Sequence, residues 1–312
     1  MTDSYLAKIT AWYFGEYREG YIDSTGKGLL RYSLKLGNPD RGTIIIVSGR
    51  TDFIEKYHET CWDLRDLDYS ICLYDHLGQG KSGRQLKDPE KGHIDDFNIY
   101  VADLERVIQS VVLPVRPGPV YLLAHSMGST ISILLSRKNP GMVHALLLVA
   151  PMLQINAGRF LPPFLVETVS GILCHTGGRH SYVWGGGPFD VEMAFKDNVL
   201  TTDSDRFRHN IDLVRNNRAL GLGSPTFGWL REAYMAMRVA RKAVSQTLCP
   251  MIIFAAAEER VVRLREIQNF CIGMACCRLV LYRNCEHELL MERDEIRNDL
   301  LRQAKDFLLK QQ

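Results

Sequence analysis

The chain has 312 residues, a length that suits one domain carrying an insertion better than several large domains. Its 38 basic and 36 acidic residues leave a net charge of +2, which excludes a strongly basic nucleic-acid-binding protein. Hydrophobic residues make up 46% and charged residues 24%, so we expect a folded globular protein and not a disordered chain.

Short apolar runs alternate with longer amphipathic segments from residue 43 onward, a pattern typical of parallel strands linked by crossover helices. Two earlier segments, 12–22 and 28–36, predict an antiparallel pair at one edge of the sheet. Apolar runs predict strands at 43–49, 69–75, 120–126, 144–150, 251–257 and 278–284. Amphipathic segments predict helices at 54–67, 96–112, 127–138, 264–276 and 292–310. The fold is therefore predicted to be α/β, with a mostly parallel central sheet and helices on both faces.

The alternation stops between residues 151 and 248, where helical fragments are separated by clusters of proline and glycine. We predict that residues 151–248 form a helical lid inserted into a core domain of residues 1–150 and 249–312. Because ligands bind at the carboxyl edge of an open α/β sheet, a lid inserted there is expected to cover the site.

The cysteine spacing, the N-terminus and the apolar stretches indicate where in the cell the protein is expected. The eight cysteines lack the regular spacing of a disulfide-stapled module and no Cys-x-x-Cys occurs, so we expect reduced thiols in a cytoplasmic protein. The N-terminus has acidic and aromatic residues in place of a basic start and an apolar run, which predicts no signal peptide. The longest apolar stretches, such as 143–153, are far shorter than the roughly 20 residues that cross a bilayer, so membrane contact is expected to be peripheral.

Ser126 stands between a predicted strand and a predicted helix, with Ala124 and Gly128 on either side. A nucleophilic serine at such a junction sits on a sharp turn that requires small neighbours. Ala124 replaces the usual first glycine and adds one methyl group to that turn. The motif in this context predicts that Ser126 is a nucleophile.

A serine nucleophile requires a histidine base and an acid that orients the imidazole. His287 follows the last predicted strand, where the base is expected. Glu258 and Glu259 both follow the strand before it, and adjacent residues at a strand end point in opposite directions. We favour Glu259 as the acid and keep Glu258 as the alternative.

Acyl transfer also needs amide donors for the developing oxyanion. Met127, directly after the nucleophile, is predicted to supply one, and Arg50, in the loop after strand 43–49, the other. The remaining histidines show no metal-ligand spacing, and the run 75–83 lacks the phosphate-loop pattern, so we expect neither a metal nor a cofactor. His76 is expected to stabilise a turn.

Five motifs together resemble the bacterial lysophospholipase and monoacylglycerol-lipase group of α/β-hydrolases: IVSGRTDFIEKYHETCWDL, YDHLGQGKSGR, LLAHSMGS, AAAEERVV and CEHELLMERD. The resemblance runs from about residue 10 to the C-terminus and includes SPTFGWL at 224–230. It implies an α/β-hydrolase fold and these roles: Ser126 nucleophile, Glu259 acid, His287 base, and Arg50 and Met127 oxyanion amides. The chain departs from many members of the group at Ala124, Ser129 and Arg263.

The resemblance implies a serine carboxylic-ester hydrolase that releases a fatty acid from a single-chain lipid, with a lysophospholipid favoured. The alternatives are a monoacylglycerol lipase, a general esterase or a transacylase with the same triad, and a hydrolase-fold binding protein without catalysis. The group includes Gram-negative inner-membrane lysophospholipases, which implies a cytoplasmic protein in peripheral contact with that membrane.

The predicted lid carries two features that bear on lipid binding. Apolar residues in the segment 162–175 are candidates to line an acyl tunnel or touch a membrane, or they pack against the core. Basic residues on one later helical stretch are candidates for contact with lipid phosphate: Arg231, Arg238, Arg241 and Lys242.

Overall fold

Eight strands pair into a single sheet in a computed structural model that describes residues 2–156, 162–242 and 249–311. In chain order the strands are β1 Arg18–Asp23, β2 Leu29–Lys35, β3 Thr43–Val47, β4 Ser70–Tyr74, β5 Val120–His125, β6 Ala145–Val149, β7 Met251–Ala256 and β8 Cys277–Tyr282. Their order across the sheet is β1-β2-β4-β3-β5-β6-β7-β8. β2 is antiparallel to β1 and β4, and the other neighbours are parallel. The predicted mostly parallel α/β sheet is confirmed.

The central strands are buried on both faces because helices cover the sheet from both sides. In β3, Ile45 and Val47 pack into one apolar cluster, which also holds residues of the helices near 104, 131 and 237. Ile44 and Ile46 point to the opposite cluster, which takes in the helices near 13, 61 and 300. Alternate residues of one short strand therefore join two cores, and this explains why the predicted strands read as continuous apolar runs.

The described helices are α1 Asp3–Glu16, α2 His58–Leu64, α3 Asn98–Val107, α4 Met127–Lys138, α5 Pro163–His175, α6 Ser204–Asn216, α7 Phe227–Arg241, α8 Leu264–Ile272 and α9 Asp294–Leu309. Short 3₁₀ turns flank α2, and a π turn extends α3 to Val112. Among these helices, none is both long enough and apolar enough to span a bilayer.

The N-terminal helix corrects one prediction. Residues 12–16 were expected to begin a strand, but they form the last part of α1, and β1 begins only at Arg18. Tyr13 is fully buried and its ring stacks on that of Tyr17, with centroids 4.0 Å apart. Aromatic residues favour strands in isolation, yet here burial against the sheet decides their conformation.

Residues 151–248 separate β6 from β7, and their described part contains α5, α6 and α7 but no strand of the sheet. Arg206 of α6 ties this insertion to the core. Its buried guanidinium donates to the Glu59 carboxylate at 2.7 and 2.8 Å and also pairs with Asp294 at 2.6 Å. α6 is thus held against α2 and the start of α9.

The cysteine prediction is wrong at one pair. Cys271 at the end of α8 and Cys277 at the start of β8 form a disulfide, with Cα atoms 5.4 Å apart. The tight connection between α8 and β8 places the two residues at a separation that suits such a bond. The other six cysteines are free.

Candidate active site

Ser126 occupies a strained turn between β5 and α4. Its backbone has φ 48° and ψ −112°, a region that residues with a Cβ rarely adopt. The turn is fixed because the Ser126 amide donates to the Val149 carbonyl at 2.9 Å and the Ser129 amide donates to the Ser126 carbonyl at 3.0 Å. The serine side chain is thereby lifted above the carboxyl edge of the sheet.

Gly128 and Ala124, the small residues on either side of Ser126, fit their positions for different reasons. A Cβ on Gly128 would lie 2.1 Å from the Val47 carbonyl oxygen, so only glycine lets α4 approach β3 this closely. Ala124 lies opposite Val47 and Leu148 in the sheet register, and its methyl group packs within the core. Position 124 therefore has room for a methyl group, whereas position 128 does not.

His287 connects the serine to a carboxylate. Its Nε2 lies 2.9 Å from Ser126 Oγ, and its Nδ1 lies 2.9 Å from Glu259 Oε2. Glu258 points elsewhere and accepts a hydrogen bond from the Asn284 amide at 3.1 Å. The structure thus brings Ser126, His287 and Glu259 together, from three different strand ends, and leaves Glu258 outside the group.

The environment of Glu259 keeps it ionised. Burial by itself raises the pKa of this carboxyl, but the neighbouring His287 ring and two backbone amides outweigh that effect and lower the pKa. The amides are those of Val261 and Val262, which donate to Oε1 at 2.8 and 3.3 Å. Glu259 therefore presents one oxygen to the imidazole while the other is held by the backbone.

The two predicted oxyanion donors follow two neighbouring strands, at the carboxyl edge of the sheet. β3 and β5 are adjacent, with Val47 opposite Ala124, so Arg50 and Met127 both lie just beyond these strand ends. Met127 begins α4, where backbone amides lack intrahelical partners. A Cβ on Gly49 would lie 2.6 Å from His125 Nδ1, which shows how closely the Arg50 loop abuts the residue before Ser126.

The sequence reasoning missed a buried carboxylate beneath that loop. Asp52 accepts hydrogen bonds from the Gly49 amide at 2.7 Å and the Tyr57 hydroxyl at 2.7 Å, and its Oδ2 lies 3.1 Å from His125 Nδ1. Its other oxygen accepts from Lys56 Nζ at 2.6 Å. Burial raises the pKa of Asp52, but the charges of Lys56 and His125 and their hydrogen bonds more than reverse this and the pKa is lowered.

Lys56 extends this network to the loop of the histidine. Its Nζ also donates to Glu288 Oε1 at 2.7 Å, and Glu288 is the residue after His287. Burial lowers the pKa of Lys56, yet the two carboxylates more than compensate and the pKa is raised, so the ammonium group stays charged. The spacing of Asp52 and Lys56, one helical turn apart, was a signal that could have suggested the pair.

His76 forms a hydrogen bond with Ser48, the first residue of the loop that contains Arg50. Its Nε2 donates to the Ser48 carbonyl at 2.9 Å, while its buried Nδ1 has no hydrogen-bond partner in the described part of the chain. Burial lowers the pKa of His76 to about 4, because a proton on Nδ1 would place an unpaired charge in the interior. The ring therefore acts as a neutral donor that fixes the end of β3, the turn-stabilising role expected for it.

One cluster of metal-ligand type occurs within the described residues, formed by His93, Asp95 and His180 with ligand atoms within 4.8 Å of one another. His93 Nε2 lies 3.2 Å from Asp95 Oδ1, and its Nδ1 lies 2.8 Å from Thr226 Oγ1. The contact with Thr226 links a core loop to the insertion. The expected absence of a metal stays a prediction.

Comparisons with known proteins find relatives that match most of this chain. A model of the family described as serine aminopeptidase, S33, matches residues 38–294. Lysophospholipase L2 of Escherichia coli is 34% identical over 275 residues, which cover 85% of this chain and 79% of that protein. The probable lysophospholipase L2 of Haemophilus influenzae is 30% identical over 268 residues, which cover 86% and 84% of the two chains.

A solved structure shares the fold. The monoacylglycerol lipase of Paleococcus ferrophilus superposes with a TM-score of 0.71 and 15% sequence identity, over 91% of this chain and 99% of that one. At this identity the similarity shows a common α/β-hydrolase architecture.

We expect His76→Gln to reduce the loss of stability on acidification. In the folded state the pKa of His76 is lowered from its ordinary value of 6.5 to about 4. The unfolded state therefore binds a proton first, and the free energy of unfolding falls as the pH drops from 6.5 toward 4. Glutamine keeps an N–H donor for the Ser48 carbonyl but does not titrate. The free energy of unfolding in urea should therefore lose about 2 kcal/mol less between pH 7 and pH 5 than in the wild type.

The matched control is His175→Gln, the same substitution at an exposed position on α5, measured in the same way. Equal pH dependence of His76→Gln and the wild type would contradict the assigned role of His76.

Proposed function

Because the chain belongs to the serine aminopeptidase S33 family of α/β-hydrolases, we propose that it is a lysophospholipase that acts through an acyl-enzyme on Ser126. The chain is a serine hydrolase, and the observation that carries the proposal is the arrangement of Ser126 Oγ and Glu259 Oε2, each 2.9 Å from a nitrogen of His287. The choice of a lysophospholipid is supported by relatives of that name, 34% and 30% identical to most of this chain.

The triad geometry suits two-step ester hydrolysis. His287 Nε2 takes the proton of Ser126 as Oγ attacks the ester carbonyl, and it then protonates the departing glycerol oxygen. The fatty acyl group remains on Ser126 until a water molecule, deprotonated by the same nitrogen, releases it. Glu259 holds the imidazole in the tautomer with hydrogen on Nδ1 and stabilises the imidazolium that forms.

The amides of Met127 and Arg50 are the proposed donors to the oxyanion. Such donors are effective only if they are fixed before the reaction begins. Asp52 supplies this rigidity for the Arg50 loop, since it accepts the Gly49 amide and is itself paired with Lys56. Met127 is fixed by α4, which is locked against β3 at Gly128.

The insertion of residues 151–248 is proposed to act as a lid that shapes the substrate cleft. It contacts the site from two sides. Gly223 accepts a hydrogen bond from the Arg50 guanidinium, and the Leu200 carbonyl accepts the Glu288 amide at 2.7 Å. Because both contacts adjoin the proposed catalytic loops, the insertion is positioned to select the substrate.

A peptidase reading of the family description is less well supported. An aminopeptidase needs acidic groups that hold the charged amino terminus of its substrate. The loop beside Ser126 instead carries the cationic side chain of Arg50, which repels an ammonium group. A neutral monoacylglycerol or another acyl acceptor remains compatible with the same triad, and the released products distinguish these reactions.

The lid also presents an apolar surface that is proposed to contact lipid. On α5, Phe164 and Ile172 are 69% and 57% exposed, whereas Val166 packs against the core. α7, which packs beside α5, adds the exposed side chains of Met235 and Val239. Exposed apolar groups on neighbouring helices favour peripheral attachment to a bilayer, from which a single-chain lipid can enter the cleft.

Ser126→Ala should lower the rate of fatty-acid release from lysophosphatidylethanolamine by about 10⁴-fold or more, because the nucleophile is lost. The measurement is fatty acid released over time, together with labelling by a fluorescent phosphonate that reacts with activated serines. Ser132→Ala removes a hydroxyl from the same helix that donates only to the Gly128 carbonyl, and should retain both release and labelling. Undiminished release by Ser126→Ala would contradict the proposal.

Glu259→Gln and Glu258→Gln form a second, matched pair. Glutamine at 259 cannot hold the imidazole in the productive tautomer, so kcat should fall by about 10³- to 10⁴-fold. Glu258 accepts only the Asn284 amide, so its replacement should change kcat by less than about threefold. Similar losses of kcat in the two variants would show that the acid has been misassigned.

Phe164→Asp combined with Ile172→Asp should weaken binding to phospholipid vesicles by at least about tenfold, since two apolar side chains no longer enter the bilayer. Co-sedimentation with vesicles measures binding, and hydrolysis of a water-soluble ester confirms that the fold is intact. Ile272→Asp, at an 84% exposed position on α8, serves as the control and should bind as the wild type does. Vesicle binding unaffected by the double substitution would place the lipid contact elsewhere.

A further inference from the structure

The side chain of Arg50 lies between the core and the insertion without an acidic partner. Its Nη2 donates to the Gly223 carbonyl, and its Cζ lies 5.3 Å from the ring centre of Trp229. Its Nε is buried and has no hydrogen-bond partner among the residues that the structure describes. No described carboxylate forms an ion pair with Arg50, and residues 157–161 and 243–248 contain no acidic residue.

Four cations whose side chains are less than 10% exposed are neutralised by carboxylates. Arg31 pairs with Glu19, Glu55 and Asp75, Arg206 with Glu59, Asp203 and Asp294, Arg297 with Asp63 and Glu59, and Lys56 with Asp52 and Glu288. Taking a charge out of water is costly unless a partner compensates it. Arg84 and Arg116 also form no ion pair among the described residues, but Arg84 donates to four backbone carbonyls and Arg116 lies before β5, at the amino edge of the sheet. Arg50 differs from both because it lies just beyond the carboxyl end of β3, at the edge that carries Ser126.

The charge on Arg50 persists at neutral pH. Burial lowers the pKa of its guanidinium to about 10, which still leaves the group protonated. The neighbouring residue Gly92 leaves room for it, because a Cβ there would lie 2.4 Å from Arg50 Nη2. The fold thus admits a charged arginine in the loop that abuts His125, and no described carboxylate pairs with it.

We infer that the Arg50 guanidinium binds the phosphate group of the substrate, an inference that rests on the proposed lysophospholipase function. A planar guanidinium presents parallel N–H donors that match two oxygens of a phosphate. In a lysophospholipid the three-carbon glycerol unit separates the ester from the phosphate, a span comparable to the length of an arginine side chain. Arg50 therefore holds the ester oxygen with its backbone amide and the phosphate with its side chain.

The basic residues of α7 that the sequence offered for this role are less suitable. Arg231 lies 3.4 Å from Glu232, Arg238 lies 2.8 Å from Glu167, and Arg241 lies 3.8 Å from Glu266. Each of these guanidinium groups already has an acidic neighbour. Arg231 therefore provides a matched control, because it is a cation on α7 and Glu232 compensates its charge.

The first experiment compares two substrates with the same acyl chain, a lysophosphatidylglycerol and a monoacylglycerol. In Arg50→Met, the ratio of kcat/KM for the phospholipid to kcat/KM for the neutral lipid should fall by about 10- to 100-fold relative to the wild type, the range expected when a charge-assisted contact is lost. Methionine keeps the apolar contact with Trp229. Arg231→Met should change the ratio by less than about twofold.

Any damage to the oxyanion loop would lower both rates together and leave this ratio unchanged. An unchanged ratio in Arg50→Met would therefore overturn the inference and make Arg50 a latch between the core and the insertion. Arg50→Lys retains the charge but not the planar donors, so its ratio should lie between those of the methionine variant and the wild type.

A second experiment uses hydrolysis of p-nitrophenyl butyrate, a neutral soluble ester, with inorganic phosphate and glycerol 3-phosphate as inhibitors. Competitive inhibition that is present in the wild type and at least about tenfold weaker in Arg50→Met supports a phosphate site at Arg50. Inhibition by glycerol 3-phosphate alone identifies the lipid headgroup as its ligand, whereas equal inhibition by both identifies phosphate in general. Inhibition that does not depend on Arg50 would overturn the inference.

The two experiments also separate this inference from the proposed function. A chain that cleaves the soluble ester but neither lipid would refute the lysophospholipase proposal, while the inhibition of ester cleavage still tests Arg50. Thermal unfolding of each variant shows that the fold is retained.

Discussion

The backbone of Ser126 is the constraint on which the site depends. Its positive φ of 48° costs on the order of 1–3 kcal/mol, and it persists because neighbouring elements leave no alternative. The serine amide is bound by β6, and the start of α4 is pressed against β3 where Gly128 meets the Val47 carbonyl. The same contacts that store this strain point Oγ at His287. The geometry of the hydrolase site is therefore a consequence of how three adjacent strands and one helix pack.

Buried charge makes the surrounding loops rigid. Asp52, Lys56 and Glu288 connect the Arg50 loop, His125 beside Ser126 and the loop that carries His287. In a medium of low dielectric constant such pairs are strong, and removing one member leaves the others buried and uncompensated. The network thus couples the proposed oxyanion donor to the loop of the base, although the residues involved lie more than two hundred positions apart in the sequence.

Arg50 differs from the charged residues of this network because it has no carboxylate partner among the described residues. Its side chain contacts the insertion at Gly223 and Trp229, and its backbone amide is the proposed oxyanion donor. Where the insertion meets the core, no described carboxylate pairs with Arg50, whereas Arg206 of the insertion is paired with Glu59, Asp203 and Asp294. Arg50 is therefore proposed both to donate its amide to the oxyanion and to select an anionic lipid, and the apolar face of α5 is proposed to contact the bilayer.

The sequence by itself determined the mostly parallel sheet and the turn at Ser126, because both are encoded locally. Apolar runs mark strands buried on two faces, and Ser126 with Gly128 marks the turn between β5 and α4. Only the tertiary structure decided that Glu259 and not Glu258 faces His287, that residues 12–16 are helical, that Cys271 bonds to Cys277, and that Arg50 has no carboxylate. Each of these outcomes depends on which distant groups approach in space, and periodicity along the chain carries no record of that approach.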